Sequence, residues 1–540
     1  MDGDGERIRD DISNDGWVDA ANDYITATNY LNEESFLRVQ ENDPIVVDLV
    51  VNAGIWIKGA GRAIGQSTVL KTLCVDTSVE TDSHWLTELC QGLSHNQSIE
   101  RFKWIICERD PLVDTFQMLH PFFHNSGKLQ NIEITNFHES QSFLSLVSAL
   151  TRCTFSRLKR IMIDWRRQIP DDQVAALFDS LRENHTHLRD FTFHRHYFER
   201  MGSVALASWL KNPSCAVCSL NLTGTTIDES CFAIISNGLI RSNTLKRLRL
   251  SENQSFSAIS SCILSGVLFH PTCCLKKLYL RECLIGDEVI SYLGGALLAN
   301  KSLVFLELSF NQFITWEGWK EFTKFLSNPQ STLKELFLYG CDIDDEGAKV
   351  IATGLAGNSS LEMLDMNANN RITSVGLCAF FDTLFENKDS ALLELQFREN
   401  YVAIEGLAFE EWGVLSRAIC DKTTIDSTFS SNHTFCNFEL FDWPDEYETT
   451  WEEIDALLSM NSNPDKSKVA SEKILKCHFS GGTTGIHALV CMHETVLPYA
   501  IEWMGRYTHG YSAMFDFVKS FPNLFNVSCG QVKEWKKRKL

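Results

Sequence analysis

The chain has 540 residues, 44% hydrophobic and 11% aromatic, a composition that excludes a disordered protein. Its net charge of −21 excludes the broad basic footprint that general nucleic-acid binding requires. No basic start with an apolar stretch marks a secretory signal, and IVVDLVV (45–51) is too short for a membrane span and carries Asp48, so a soluble cytoplasmic protein with mostly free thiols is expected.

Residues 1–44 carry twelve acidic side chains against Arg7, Arg9 and Arg38 and read as an acidic tail or cap. Within them DISNDGWVDAAN (11–22) partly fits a calcium loop. Asp11, Ser13, Asp15, Gly16 and Asp19 suit it, but Asn22 stands where a bidentate Glu belongs. DPIVVDLVV (43–51) is expected to be a first, capping strand. GAGRAIG (59–65) is glycine-rich, yet Ile64 breaks G-x-G-x-x-G and no G-K-[ST] follows, so AGRAIGQSTVLKTL (60–73) reads as a helix turning into a strand. Strand-like segments then recur at Leu70 (LKTLCV), Ile99 (IERFKW), Leu129 (LQNIEI), Leu158 (LKRIMI), Leu188 (LRDFTF) and Val217 (VCSLNL). Cys215 and Cys218 form C-x-x-C, but beside a strand rather than at a helix N-terminus that favours thiolate. His194 and His196 raise a metal pair, with exposed strand histidines as the plainer expectation. The N-x-[ST] sequons at Asn96, Asn221 and Asn253 are read as incidental.

From Leu245 the pattern tightens. LKRLRLSEN (Leu245), LKKLYLREC (Leu275), LVFLELSFN (Leu303), LKELFLYGC (Leu333), LEMLDMNAN (Leu361) and LLELQFREN (Leu392) all follow LxxLxLxx[NC]. The ninth position is Asn253, Cys283, Asn311, Cys341, Asn369 and Asn400. Alternation along a strand predicts Leu278 and Leu280 inward and Lys277, Tyr279 and Arg281 outward. Between strands, GDEVISYLGGALLANKS (286–302) places Val289, Leu293 and Leu297 at helical spacing. One strand and one helix cannot bury their own leucines, so such repeats must stack.

A period of 28–31 residues with Asn/Cys alternation resembles the ribonuclease-inhibitor-like family of leucine-rich-repeat proteins, over roughly 45–435 and most specifically 245–400. The resemblance implies an α/β solenoid of about twelve to fourteen repeats, a curved horseshoe with parallel strands on the concave face and helices on the convex face. It also implies an intracellular protein that binds proteins, with cysteine reduced. A degenerate last copy is expected at Ile425 (IDSTFSSNH). Nucleotide-sensing receptors carry similar arrays beside an NTPase domain, and no such domain is read here.

After the solenoid, 436–455 is an acidic boundary segment, since DWPDEYETTWEEID (442–455) holds seven acids and no base. Residues 456–528 are expected to form a small helical C-terminal cap over the last repeat, and 529–540 a basic tail. KKRK (536–539) raises nuclear import against a plain basic end. Cys477, His478, His487, Cys491 and His493 are the best metal or thiol-catalysis candidates, yet they lack the knuckle spacing of structural zinc.

No triad or carboxylate pair supports catalysis, and no cofactor or metal is expected. Outward strand residues are basic over the repeats from 158 to 275 and acidic over the next four, with aromatics at the change. Arg247, Arg249, Lys277, Tyr279, Arg281, Phe305, Phe310, Phe337 and Tyr339 are therefore the expected partner-binding residues on the concave face. The expected function is a non-catalytic interaction module (scaffold, inhibitor or recognition protein) that binds a protein, not nucleic acid or membrane, as a monomer. The alternatives are a small-GTPase regulator or an enzyme with activity in the C-terminal helices.

Overall fold

The structure, a computed structural model, describes residues 30–52, 56–77, 84–105, 115–137, 140–153, 157–165, 168–387, 390–400, 409–439 and 448–478. The calcium-like loop, His487, Cys491, His493 and KKRK lie outside them. The chain divides into two compact units, Met1–Ser255 and Phe256–Leu540.

In the first unit eight strands form a parallel sheet: β1 (Asp48–Asn52), β2 (Thr72–Asp76), β3 (Arg101–Ile105), β4 (Asn131–Phe137), β5 (Arg160–Trp165), β6 (Asp190–His194), then, past β7 (Tyr197–Phe198), β8 (Ser219–Asn221) and, past β9 (Thr226–Ile227), β10 (Arg247–Arg249). β7 and β9 pair with each other. Each strand from β2 to β10 in the main sheet starts two residues after a leading apolar residue of the repeat. The register therefore stacks one apolar column, in which Leu73, Phe102, Ile132, Ile161, Phe191, Leu220 and Leu248 are at most 1% exposed. That column drives the stacking, because each buried Leu or Phe contributes about 2 kcal/mol relative to exposure.

The glycines of GAGRAIG serve packing. Helix Ala60–Gln66 lies so close to helix His84–Leu93 that a Cβ on Gly61 would strike the Glu88 carbonyl. Nor are the paired histidines exposed. His196 is 1% exposed, with ring centroids 5.0 Å from Phe193 and 5.5 Å from Phe198, and burial pushes its pKa down to about 4. His194 is half-buried, and burial lowers its pKa too. The ninth position of this repeat turns into the core, so His196 fills it as a neutral ring. The three sequon asparagines are also buried: Asn96 Nδ2, for example, donates to the Ile64 carbonyl at 2.6 Å.

The second unit holds β11 (Lys277–Tyr279), β12 (Phe305–Glu307), β13 (Glu335–Phe337), β14 (Met363–Asp365), β15 (Glu394–Gln396) and β16 (Asn437–Glu439), parallel and in chain order. Helices Ala258–Phe269, Asp287–Leu297, Trp316–Leu326, Asp345–Leu355 and Ser374–Glu386 alternate with the strands and pack on their neighbours. The side chains of Ser257, Thr315, Asp344 and Thr373 cap four of these helices.

The last repeat differs from its expected place. Ile425–Phe429 is a short helix, and the final strand follows Phe435. In FxxFxL (435–440) phenylalanine replaces leucine, and Phe435 and Phe438 are buried at 0% and 4%. Residues 436–455 thus include β16 and, from Glu448, helix Glu448–Asn461. Helix Lys466–His478 follows and packs on both of these helices, Ile425–Phe429 and Glu448–Asn461. Asn461 Nδ2 donates to the Phe435 carbonyl at 2.6 Å, as Asn300 donates to Leu268 at 2.7 Å and Asn358 to Leu326 at 2.7 Å.

Candidate functional site

The site is built on the strand edges that carry side chains away from the leucine column. On β11–β13 the inward residues Leu278, Leu306 and Leu336 are fully buried, which turns their neighbours to the opposite face. Tyr279 stacks on Phe305 with ring centroids 4.7 Å apart, and Phe305 on Phe337 at 5.0 Å. Lys277 Nζ stands 5.2 Å from the Phe305 centroid. A second stack runs beside it, just past the strands. The Arg281 guanidinium lies 4.1 Å from the Phe310 centroid, Phe310 lies 5.1 Å from Tyr339, and the Tyr339 hydroxyl donates to Glu399 at 2.8 Å.

The second stack needs an unusual backbone. Phe310 has φ 60°, in the left-handed region, and so do Arg195, Gly224, Glu252, Glu282, Gly340, Ala368 and Glu399. These are the eighth positions of eight successive repeats. There the N–H of Phe310 donates to the Tyr339 carbonyl at 2.8 Å, continuing the ladder into the next repeat. The positive φ, followed by a buried ninth residue, leaves the Phe310 ring lying over Gly340, whose missing Cβ makes room for it.

The structure brings Lys277, Tyr279, Arg281, Phe305, Phe310, Phe337 and Tyr339 together as two stacks in the second unit. Arg247 and Arg249 stand half-buried on β10 of the first unit, either side of buried Leu248. Tyr279 and Phe305 are only 7% exposed, so they form the floor, while the half-buried Phe310, Phe337 and Tyr339 form the accessible surface. The ninth-position residues Asn253, Cys283, Asn311, Cys341, Asn369 and Asn400 are all buried and hold backbone. Asn311 Nδ2 donates to Leu280 and Leu308, and its Oδ1 accepts from the N–H groups of Cys283 and Ile285. Cys341 Sγ donates to the Leu308 carbonyl at 3.3 Å, and burial pushes its thiol pKa up to about 12.

One member of the face is not singled out by sequence. Asp365 on β14 pairs in register with Phe337 and Gln396 and is fully buried. Its Oδ1 accepts the Asn367 N–H at 2.8 Å, while Oδ2 has no hydrogen-bond partner among the described residues. Burial, together with the nearby Glu307, Glu394 and Glu439 carboxylates, pushes its pKa up to about 7. Composition marks Asp365 as one more acid on an acidic stretch; only its burial sets it apart.

Known proteins agree with the repeat. The family model described as Leucine Rich repeat matches residues 330–352. Human "NACHT, LRR and PYD domains-containing protein 14" is 27% identical over 263 residues, covering 48% of this chain and 23% of that protein. "NACHT, LRR and PYD domains-containing protein 4E" of Mus musculus is 30% identical, covering 47% and 25%. "Ribonuclease inhibitor" of Mus musculus is 30% identical over 183 residues, covering 34% and 40%. The repeats of this chain are similar to those of leucine-rich-repeat proteins of the ribonuclease-inhibitor-like type.

The leucine-rich-repeat chain spans 23%, 25% and 40% of those three relatives. Among its described residues no helix is long and apolar enough to cross a membrane, and no group of three or more His, Cys, Asp or Glu is placed to hold a metal ion. Cys215 and Cys218 do not make a reactive pair in this leucine-rich-repeat protein, because burial raises both thiol pKa values. Cys477, one of the C-terminal metal candidates, instead meets Cys420, with sulfurs 3.5 Å apart. Cys420 carries no motif, and its partner lies 57 residues away along the chain, so spacing gave no signal.

Proposed function

We propose that this protein is a non-catalytic interaction module, and that a protein partner docks on the strand-lined face of the second unit over Phe337, Phe310 and Tyr339. The carrying observation is the continuous aromatic stack Tyr279–Phe305–Phe337, with centroid steps of 4.7 and 5.0 Å, on a face where a sheet kept merely soluble would present isolated polar side chains. Arg281 and Lys277 border it with positive charge, and Glu394 and Glu439 with negative charge. Rigid aromatic anchors ringed by charge have the composition of interface hot spots. Inhibition, the role printed in the name of the murine relative, is one form such binding takes. No described residue of this face favours the small-GTPase or enzyme alternatives.

The test is affinity capture with quantitative mass spectrometry, comparing wild type with Arg281→Glu/Phe337→Ala/Tyr339→Ala, all half-buried positions. The Arg101→Glu variant on the first unit serves as control. A partner recovered with wild type and control but depleted at least tenfold with the triple variant supports the assignment. Equal recovery by a triple variant of native thermal stability removes this face from the reading.

A further inference from the structure

The end of the second unit contains a thiol site that the interaction function does not use. Cys420 follows the last turn of helix Phe409–Ile419 and is 1% exposed; Cys477 lies on helix Lys466–His478 and is half-buried. Their sulfurs are 3.5 Å apart, in hydrogen-bond contact. Four residues before Cys477, and so on the same helix face, Lys473 is fully buried. Its Nζ donates to the carbonyls of Ile419, the residue before Cys420, at 2.6 Å and of Asn432 at 3.1 Å. A buried amine, a half-open thiol and a buried second thiol thus converge on one helix junction. We propose that Cys420 and Cys477 form a reversible dithiol–disulfide site whose substrate is hydrogen peroxide, with Cys477 the sulfur that reacts first.

The environment supports that order. The hydrogen bond from Cys420 lowers the pKa of the Cys477 thiol, with Lys422 and Lys476 acting in the same direction, while Cys420 stays protonated. Several other described thiols are held in the unreactive form, since burial raises Cys74, Cys90, Cys153 and Cys341. The Cys477 thiolate attacks one peroxide oxygen, the O–O bond breaks, and the departing oxygen takes a proton and leaves as water. Cys477 is then a sulfenic acid. The Cys420 sulfur attacks the Cys477 sulfur, its proton goes to the leaving hydroxyl, and a second water departs as the S–S bond forms. Two thiols give up two electrons and the peroxide is reduced to two waters. A dithiol reductant reverses the step and is itself oxidised. Bond formation closes the sulfurs from 3.5 Å to bonding distance, about 2.05 Å. The bond staples helix Lys466–His478 to the repeat stack.

The full chain is treated with a stoichiometric amount of hydrogen peroxide, and free thiols are alkylated under denaturing conditions before peptide mass spectrometry. The expected result is a Cys420–Cys477 cross-linked peptide that forms while exposed Cys262 is still free. The melting temperature should rise on oxidation and return on addition of dithiothreitol. In Cys420→Ser, Cys477 should be trapped as a sulfenic acid by dimedone. Should that variant fail to fold, the wild-type cross-link still decides. Oxidation of Cys477 no faster than of Cys262, or its pairing with a cysteine other than Cys420, overturns the proposal.

Discussion

At the scale of single residues, the sequence marks what repeats and hides what is singular. Asn311 is legible because Asn253 and Asn369 recur at its position, and the structure shows why the amide is kept: one side chain satisfies four backbone groups of two adjacent repeats. Asp365 is singular, and its properties follow from burial among carboxylates. Below about pH 4 its carboxyl is protonated in both folded and unfolded chains. Between the ordinary carboxyl value of 3.8 and about 7 the unfolded chain loses the proton while the folded chain keeps it. The folded state therefore binds more protons in that window, and stability falls as pH rises through it. Asp365→Asn keeps the acceptor for the Asn367 N–H and removes the titration. It is expected to raise stability at pH 8 by about 2–4 kcal/mol and to leave it nearly unchanged at pH 4. The buried histidines His185 and His196 and the half-buried His433 act in the opposite sense, since desolvation lowers their pKa values. The test is accordingly the difference between urea midpoints of variant and wild type at each pH. A pH-independent difference would show that Asp365 is ionised in the fold.

At the scale of elements, strands were legible to the residue where leucine leads. They were lost at β16, where Phe435 and Phe438 carry the same buried role and the step from Leu392 is longer. Helices were legible from spacing, but the devices that join them were not. Asp345, the first residue of its helix, accepts from the N–H and hydroxyl of Thr373, both at 2.7 Å, and from the Gly376 N–H at 3.0 Å. Asp287 accepts from Thr315 in the same way, also at 2.7 Å. Asp171 holds the N–H groups of Met201 and Gly202 one repeat on. Each clasp crosses about one repeat, so no short-range pattern reveals it. The glycine partner is required because a Cβ on Gly376 would lie 2.7 Å from the Asp345 carboxylate. Asp345→Ala strips the next helix of three charge-assisted bonds and is expected to cost about 2 kcal/mol. Gly376→Ala, which gains helix propensity elsewhere, is expected to cost about 1–3 kcal/mol here through the clash. Both are measured by chemical denaturation, and a Gly376→Ala protein more stable than wild type would refute the clasp.

At the scale of the whole molecule, the contacts between neighbouring repeats matter more than any single contact. Within each unit strands pair with the next strand and helices pack on the next helix. Such a chain behaves as a row of coupled repeats, each stabilised by its neighbours. The period alone made this architecture legible, whereas the aromatic stack, the buried Asp365 and the Cys420–Cys477 contact depend on which side chains the register brings together. Leu336 is the sharpest probe of the coupling. It is fully buried on β13, in register between Leu306 on β12 and Leu364 on β14. Leu336→Ala opens a cavity in the column and is expected to cost about 3 kcal/mol. In a row of nearest-neighbour repeats that loss lowers the opening free energy of β12, β13 and β14 first, while β2–β4 of the first unit keep theirs. Native-state hydrogen exchange reads this directly: amides of residues 305–307, 335–337 and 363–365 should exchange on the order of a hundredfold faster, with those of 72–76 and 101–105 unchanged. Uniform acceleration across both sets would mean that the protein unfolds as one cooperative body.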